Sequence, residues 1–170
     1  VFGWDHWKVG GFMASWIIGY GFIQTIAPKI TGHSNGKSGV VLWAALLAVV
    51  PAAIAGALMA GWSAQAVVIG GLLLFGVLFA INSSLHSYLI VSYARGDGVS
   101  LDVGFYYMSN AAGRLLGTIL SGWVYQACGL EACLWISAAL VATAAVLSVW
   151  LPERADKPGF SQLAATKTIK

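Results

Sequence analysis

Long stretches without a charged residue divide the chain into apolar segments. No Asp, Glu, Lys or Arg occurs in residues 9–28, 38–94 or 132–152. A helix needs about 20 apolar residues to cross the hydrocarbon core of a membrane. The first and third stretches therefore fit one membrane-spanning helix each, and the second fits two helices joined by a short turn.

Capping and turn residues mark the ends of five predicted membrane-spanning helices. The expected fold is therefore all-α, a polytopic transmembrane helix bundle. The predicted spans cover residues of about 7–30, 39–60, 64–93, 100–126 and 131–151. Asp5 is suited to cap the first helix, and Pro51 is expected to kink the second helix without breaking it. Residues 1–152 form one predicted transmembrane domain. The polar tail 153–170 is predicted to be disordered, with a regulatory docking helix as the alternative.

The composition agrees with a membrane location. Hydrophobic residues make up 59% of the 170 residues and charged residues only 9%, whereas a soluble domain carries about 25% charged residues. We therefore expect the lipid bilayer, and not water, to surround most of the protein. The chain begins at Val1 and shows no secretory signal pattern, which favours a fragment of a longer protein.

The basic residues predict an orientation. Those that fall on one side of the predicted bundle are Lys29, Lys37, Arg95, Arg154, Lys157, Lys167 and Lys170. The other side holds only Lys8. Because cytoplasmic loops are enriched in Lys and Arg, the loops after the first and third spans and the C-terminal tail are predicted to be cytoplasmic.

One ionisable residue is predicted to lie deep in the membrane. Arg114 sits near the middle of the fourth span, between Asp102 and Glu131, and Tyr107 and Asn110 share its helix face. Because a charge at this depth is costly, Arg114 should face the protein interior or a water-filled cavity. In the functional interpretation, Arg114 binds an anionic substrate or pairs with a coupling carboxylate. In the alternative, it is a structural arginine whose partners are backbone carbonyls or an acidic residue in another part of the protein.

A second polar pair lies on the third span. Asn82 and His86 are four residues apart and therefore share a helix face. The antiparallel arrangement of the third and fourth spans would bring His86 to the level of Asn110. Two interpretations of this pair stay open. In the first it contacts the substrate or forms a proton-linked switch, because histidine titrates near neutral pH. In the second, His86 is a hydrogen-bonded packing residue.

Other chemistries lack their residues in this sequence. His86 has no Gly-x-Ser-x-Gly partner for a serine protease, and His6 and His33 fall on opposite sides of the membrane, so they cannot hold a haem together. No phosphate-binding loop, metal-ligand cluster or nucleic-acid motif is present, so we expect neither an enzyme nor a cofactor. Cys128 and Cys133 are too few for a disulfide scaffold. We favour the interpretation that both are free thiols, and the alternative is a disulfide bridge between them.

The residues around Arg114 resemble a known family. The segment DVGFYYMSNAAGRLLGT at 102–118 is similar to the eleventh span of major facilitator superfamily transporters. FAINSSLHSY at 79–88, GLEACLWIS at 129–137 and residues 16–24 narrow the resemblance to organoarsenical efflux permeases of the ArsJ type. The resemblance covers nearly all of residues 1–152, and the superfamily's basic loop motif is degenerate here.

The resemblance implies spans eight to twelve of a twelve-span transporter, whose N-terminal half would be the missing partner. It implies export of the small anion 1-arseno-3-phosphoglycerate, made by a glyceraldehyde-3-phosphate dehydrogenase, across the bacterial inner membrane. The substrate-binding residues would be Arg114, Asn110, Tyr107, His86 and Asn82. A major facilitator transporter of another solute or drug is the first alternative, and a non-transporting accessory membrane subunit is the second.

Overall fold

The computed structural model describes residues 3–31, 37–93 and 99–150, and the regular structure in these ranges is helical. The helices are α1 (His6–Thr31), α2 (Lys37–Met59), α3 (Ala64–Tyr93) and α4 (Val99–Ser148). The first three begin and end within two residues of the predicted helices. The predicted tail at 153–170 lies outside the described residues.

Local hydrogen bonds explain where α1 begins. The Asp5 carboxylate accepts a hydrogen bond of 2.8 Å from the backbone N–H of Lys8. This is the bond from an N-cap side chain to the third residue of a helix, so the predicted cap at Asp5 is confirmed.

The predicted turn between α2 and α3 is a tight reversal. The N–H of Trp62 donates to the carbonyl of Ala57, and the N–H of Gly61 to that of Leu58. Gly61 adopts a φ of +78°, as glycine does in the turn that closes a helix C-terminus with this pair of bonds. Pro51 lies inside a continuous α2, so it does not break the helix.

Helix α4 contains a chain reversal at Gly129. Gly129 has a φ of 83° and a ψ of −176°, which are non-helical values. The thiol of Cys133 donates to the carbonyl of Ser121, twelve residues earlier, at 3.4 Å. In a straight helix these residues would be about 18 Å apart along the axis. The second half of α4 (130–148) therefore folds back on its first half (99–128), and the loop predicted between them is a single left-handed glycine.

Helix α3 lies between α1 and α2, and α2 also packs against α4. A buried apolar cluster joins the first three helices at one end of the bundle, and its members are Ala27, Val40, Ile81, Leu85 and Leu89. Helix α2 meets the second half of α4 through small residues, because Ala48, Ala138 and Ala145 are all buried. The core is therefore concentrated around α2 and α3.

Large apolar side chains cover much of the outer surface. Ile18 of α1, Leu74 of α3 and Leu116 of α4 are each more than half exposed. All four described helices are long and apolar enough to cross a membrane. An apolar exterior of this kind is stable in a lipid bilayer, where no hydrophobic force drives these side chains inward.

Candidate functional site

The first half of α4 presents an uncovered face. Every residue from 107 to 123 is exposed, and open space surrounds Gly113 and Gly117. Tyr107, Asn110 and Arg114 lie on this unbroken stretch of helix, so the structure places them on one face as predicted. The enclosing surface that we expected around Arg114 is not supplied by the described residues.

Two hydroxyl groups on the exposed half of α4 bond to their own helix. Thr118 donates to the carbonyl of Arg114 at 2.8 Å, and Ser121 donates to the carbonyl of Thr118 at 3.0 Å. Such bonds let serine and threonine lie in an apolar helix without an outside partner. Among the described residues, the side chains of Asn110 and Arg114 make no comparable bond. They are therefore polar groups on this face that are open to an external partner, as is the hydroxyl of Tyr107.

Helix α3 holds the second predicted pair together. Nδ1 of His86 lies 2.9 Å from the backbone carbonyl oxygen of Asn82. Because a carbonyl can only accept, Nδ1 carries the proton, and Nε2 of the neutral ring is left as an acceptor. Both side chains are partly buried. The packing role of His86 and its functional role are both compatible with this bond.

Asn82 also carries an unmet acceptor. Its side-chain oxygen Oδ1 is buried and has no hydrogen-bond partner within the described part of the chain. Leaving a buried acceptor unpaired costs about 1–3 kcal/mol. A group that brings an O–H or N–H donor to this position would recover that free energy.

The five predicted site residues form two groups. One is the exposed face of α4 with Tyr107, Asn110 and Arg114, and the other is the Asn82–His86 pair on α3. No hydrogen bond or ring contact between described residues links the two groups, and α3 touches α4 far less than it touches α1 or α2. The structure thus brings together the members of each group but does not join the groups.

The sequence reasoning assigned no role to Trp16. Its indole Nε1 donates to the carbonyl of Leu72 on α3 at 2.8 Å, and its ring stacks on Tyr20 at a centroid distance of 5.9 Å. Its position in the sequence could have indicated a specific contact. Membrane tryptophans are enriched near the ends of spans, whereas Trp16 lies in the middle of its apolar segment.

The two cysteines and the possible metal ligands are the remaining candidate reactive groups. Cys128 and Cys133 are free thiols, which agrees with the favoured interpretation. Within residues 3–31, 37–93 and 99–150, no group of three His, Cys, Asp or Glu side chains is placed to hold a metal ion.

Neither protein-family models nor curated proteins nor solved structures match this chain.

Proposed function

We propose that this chain is part of a secondary active transporter that exports an anionic organoarsenical, 1-arseno-3-phosphoglycerate, across the bacterial inner membrane. The observation that carries the proposal is the guanidinium of Arg114, which lies on the open face of a long apolar helix without an acceptor among the described residues. A transported anion would supply that acceptor once per cycle.

The proposed architecture has five membrane spans. The reversal at Gly129 supports this number, because it divides the 50 residues of α4 into halves of about 45 and 29 Å. The second matches the hydrocarbon core of about 30 Å, and the first is long enough to cross it and extend beyond. We propose that these are spans eight to twelve of a major facilitator fold, with the C-terminal tail in the cytoplasm. The N-terminal half of the same protein would then face α4.

Arg114 suits the proposed cargo. A guanidinium donates two parallel hydrogen bonds to a phosphate or carboxylate, and the cargo carries groups of this kind. Asn110 and Tyr107, on the same face, would add donors beside it. Lysine would be a weaker substitute, because its ammonium group cannot make the two-pronged contact.

The α3 pair would contact a different part of the cargo. The unmet Oδ1 of Asn82 and the Nε2 acceptor of His86 both call for a donor, and a glycerate has a hydroxyl group that can donate. In a rocker-switch transporter the site lies near the midplane, where two halves rock around the bound substrate. Both groups would belong to the same half, so the cargo itself would bridge them while the N-terminal half closes over it.

Uptake into everted membrane vesicles tests the proposal directly. Vesicles that contain the protein should accumulate 1-arseno-3-phosphoglycerate, generated with a glyceraldehyde-3-phosphate dehydrogenase, faster than vesicles without it, and collapse of the pH gradient shows whether protons drive uptake. Uptake of another solute but not of this anion would favour the other major facilitator transporters. A protein that moves no solute would instead be an accessory subunit, and either result would overturn the proposal.

A further inference from the structure

Helix α1 is the least embedded of the four helices. None of the 18 residues of its most apolar window is buried, and its main neighbour is α3. Two attachments of α1 are defined by specific contacts, which are a hydrogen bond near its middle and a buried apolar cluster at its C-terminal end.

The first attachment is at the C-terminal end of α1. Ala27 is completely buried, and it packs in the cluster with Val40 of α2 and Leu85 of α3. Thr31, one turn later, is also buried. Two neighbouring helices hold this end, so we treat it as the fixed end of α1.

The second attachment is at Trp16, near the middle of α1. Its indole N–H donates to the carbonyl of Leu72, which in an α-helix already accepts the N–H of Gly76. The indole reaches this carbonyl because position 76 has no side chain. A Cβ built on Gly76 would lie 2.8 Å from Nε1 of Trp16, closer than a carbon and a nitrogen can approach.

Ring contacts extend the second attachment towards the fixed end. Tyr20 stacks on Trp16 and meets Phe79 of α3 at 5.6 Å between ring centroids. On the other side of Trp16 the helix is more exposed, because Trp7 is 90% exposed and Val9 and Met13 are each 46% exposed, while Phe12 is partly buried. Among the described residues of α1, Trp16 thus makes the side-chain hydrogen bond to α3 that lies nearest the N-terminal end of the helix.

We propose that the hydrogen bond from Trp16 to Leu72 is a latch, and that residues 6–15 of α1 swing away from α3 when it opens. A hydrogen bond between membrane helices is weak enough for thermal opening. The fixed end stays in the buried cluster during this motion, so α1 bends between its two attachments and does not leave the bundle. The latch follows from the contacts of α1 and α3 and does not depend on the proposed transport.

Distance measurements between spin labels on the membrane-reconstituted protein test the latch. One label pair, at Val9 and Ala66, reports the free end of α1 against α3. A second pair, at Ile30 and Leu42, reports its fixed end against α2. Cys128 and Cys133 are replaced by alanine, so that only the introduced cysteines carry labels.

Trp16→Phe keeps an aromatic ring and removes the N–H donor. It should raise the ratio of long to short Val9–Ala66 distances about three- to fifteen-fold, which corresponds to the measured range for hydrogen bonds between membrane helices. The Ile30–Leu42 distances should not change. Trp7→Phe is the matched control, because Trp7 lies on the same helix and is almost fully exposed, and it should change neither pair.

Gly76→Ala provides an independent test that leaves Trp16 intact. The added methyl group should displace the indole and produce the same long Val9–Ala66 distances. The proposal is overturned if both variants keep the parent distances, or if the two label pairs shift together, since the whole helix would then detach. A thermal melt of each variant confirms that the bundle is folded.

Discussion

The two halves of α4 differ sharply although they are joined by a single residue. Before Gly129, residues 107–123 are all exposed and include Arg114. After Gly129, the helix buries Ala138 and Ala145 and shares an apolar groove with α2. One half is held by packing within the chain, while the other offers polar groups and open space.

The two halves of α4 also differ in whether their polar groups find partners within the described chain. In the second half, Thr143 donates to the carbonyl of Ala139 at 2.8 Å, and no Asp, Glu, His, Lys or Arg lies in residues 132–148. The first half keeps a charge that nothing in the described residues neutralises. A costly group that packing does not explain is best explained by a ligand or a partner segment.

The largest change in transport is expected from Arg114→Gln. Hydrogen bonds to charged groups contribute about 1.5–3 kcal/mol, so uptake of the arsenylated glycerate should fall roughly ten- to a hundred-fold, and Arg114→Lys should retain part of it. Lys8→Gln is the control, because it removes a positive charge at the end of α1. Full uptake by a normally expressed Arg114→Gln protein would assign Arg114 a structural role.

Overpacking should distinguish the two halves in stability. Ala138→Leu inserts a larger side chain into the contact with α2 and should lower the free energy of unfolding by about 1–3 kcal/mol. Gly117→Leu places the same side chain in open space and should not lower the free energy of unfolding, because leucine also favours a helix more than glycine does. Reversible unfolding in mixed micelles measures both variants. A loss for Gly117→Leu as large as that for Ala138→Leu would show that another segment covers the first half.

A similar loss of stability is expected at the junction itself. Gly129→Ala forces a side chain into a combination of positive φ and extended ψ that is essentially restricted to glycine and costs about 1–3 kcal/mol, so the same unfolding measurement should show a loss of that size. Gly122→Ala is the matched control, because Gly122 lies within the helix with nothing near its position. Equal stability of the two variants would mean that the chain does not reverse through a left-handed residue 129.

The sequence predicts much of this fold because its signals are local. Charge-free stretches define the helices, and Asp5 marks the first N-cap. Pattern alone did not reveal that the predicted loop after residue 126 shrinks to Gly129, since the neighbouring residues are apolar enough to continue either helix. Helix ends depend on a few hydrogen bonds, which hydropathy does not register.

The shared helix face of the α4 candidates was predictable from the sequence, but its exposure was not. The spacing of Tyr107, Asn110 and Arg114 predicts a shared face on any helix. Whether that face is covered depends on contacts between distant segments, which spacing cannot supply. Likewise, the bond from Trp16 to a backbone carbonyl leaves no pattern at the acceptor, because every residue has a carbonyl group.

Thiol accessibility at residue 110 tests the central claim most directly. In a background with Cys128 and Cys133 replaced by alanine, Asn110→Cys should react with a membrane-impermeant thiol reagent, and 1-arseno-3-phosphoglycerate should slow the reaction. Leu147→Cys, exposed on the second half of α4, should be unreactive, because it would face lipid. An unreactive Asn110→Cys, or one that the anion does not protect, would contradict the assignment of this face to an anionic cargo.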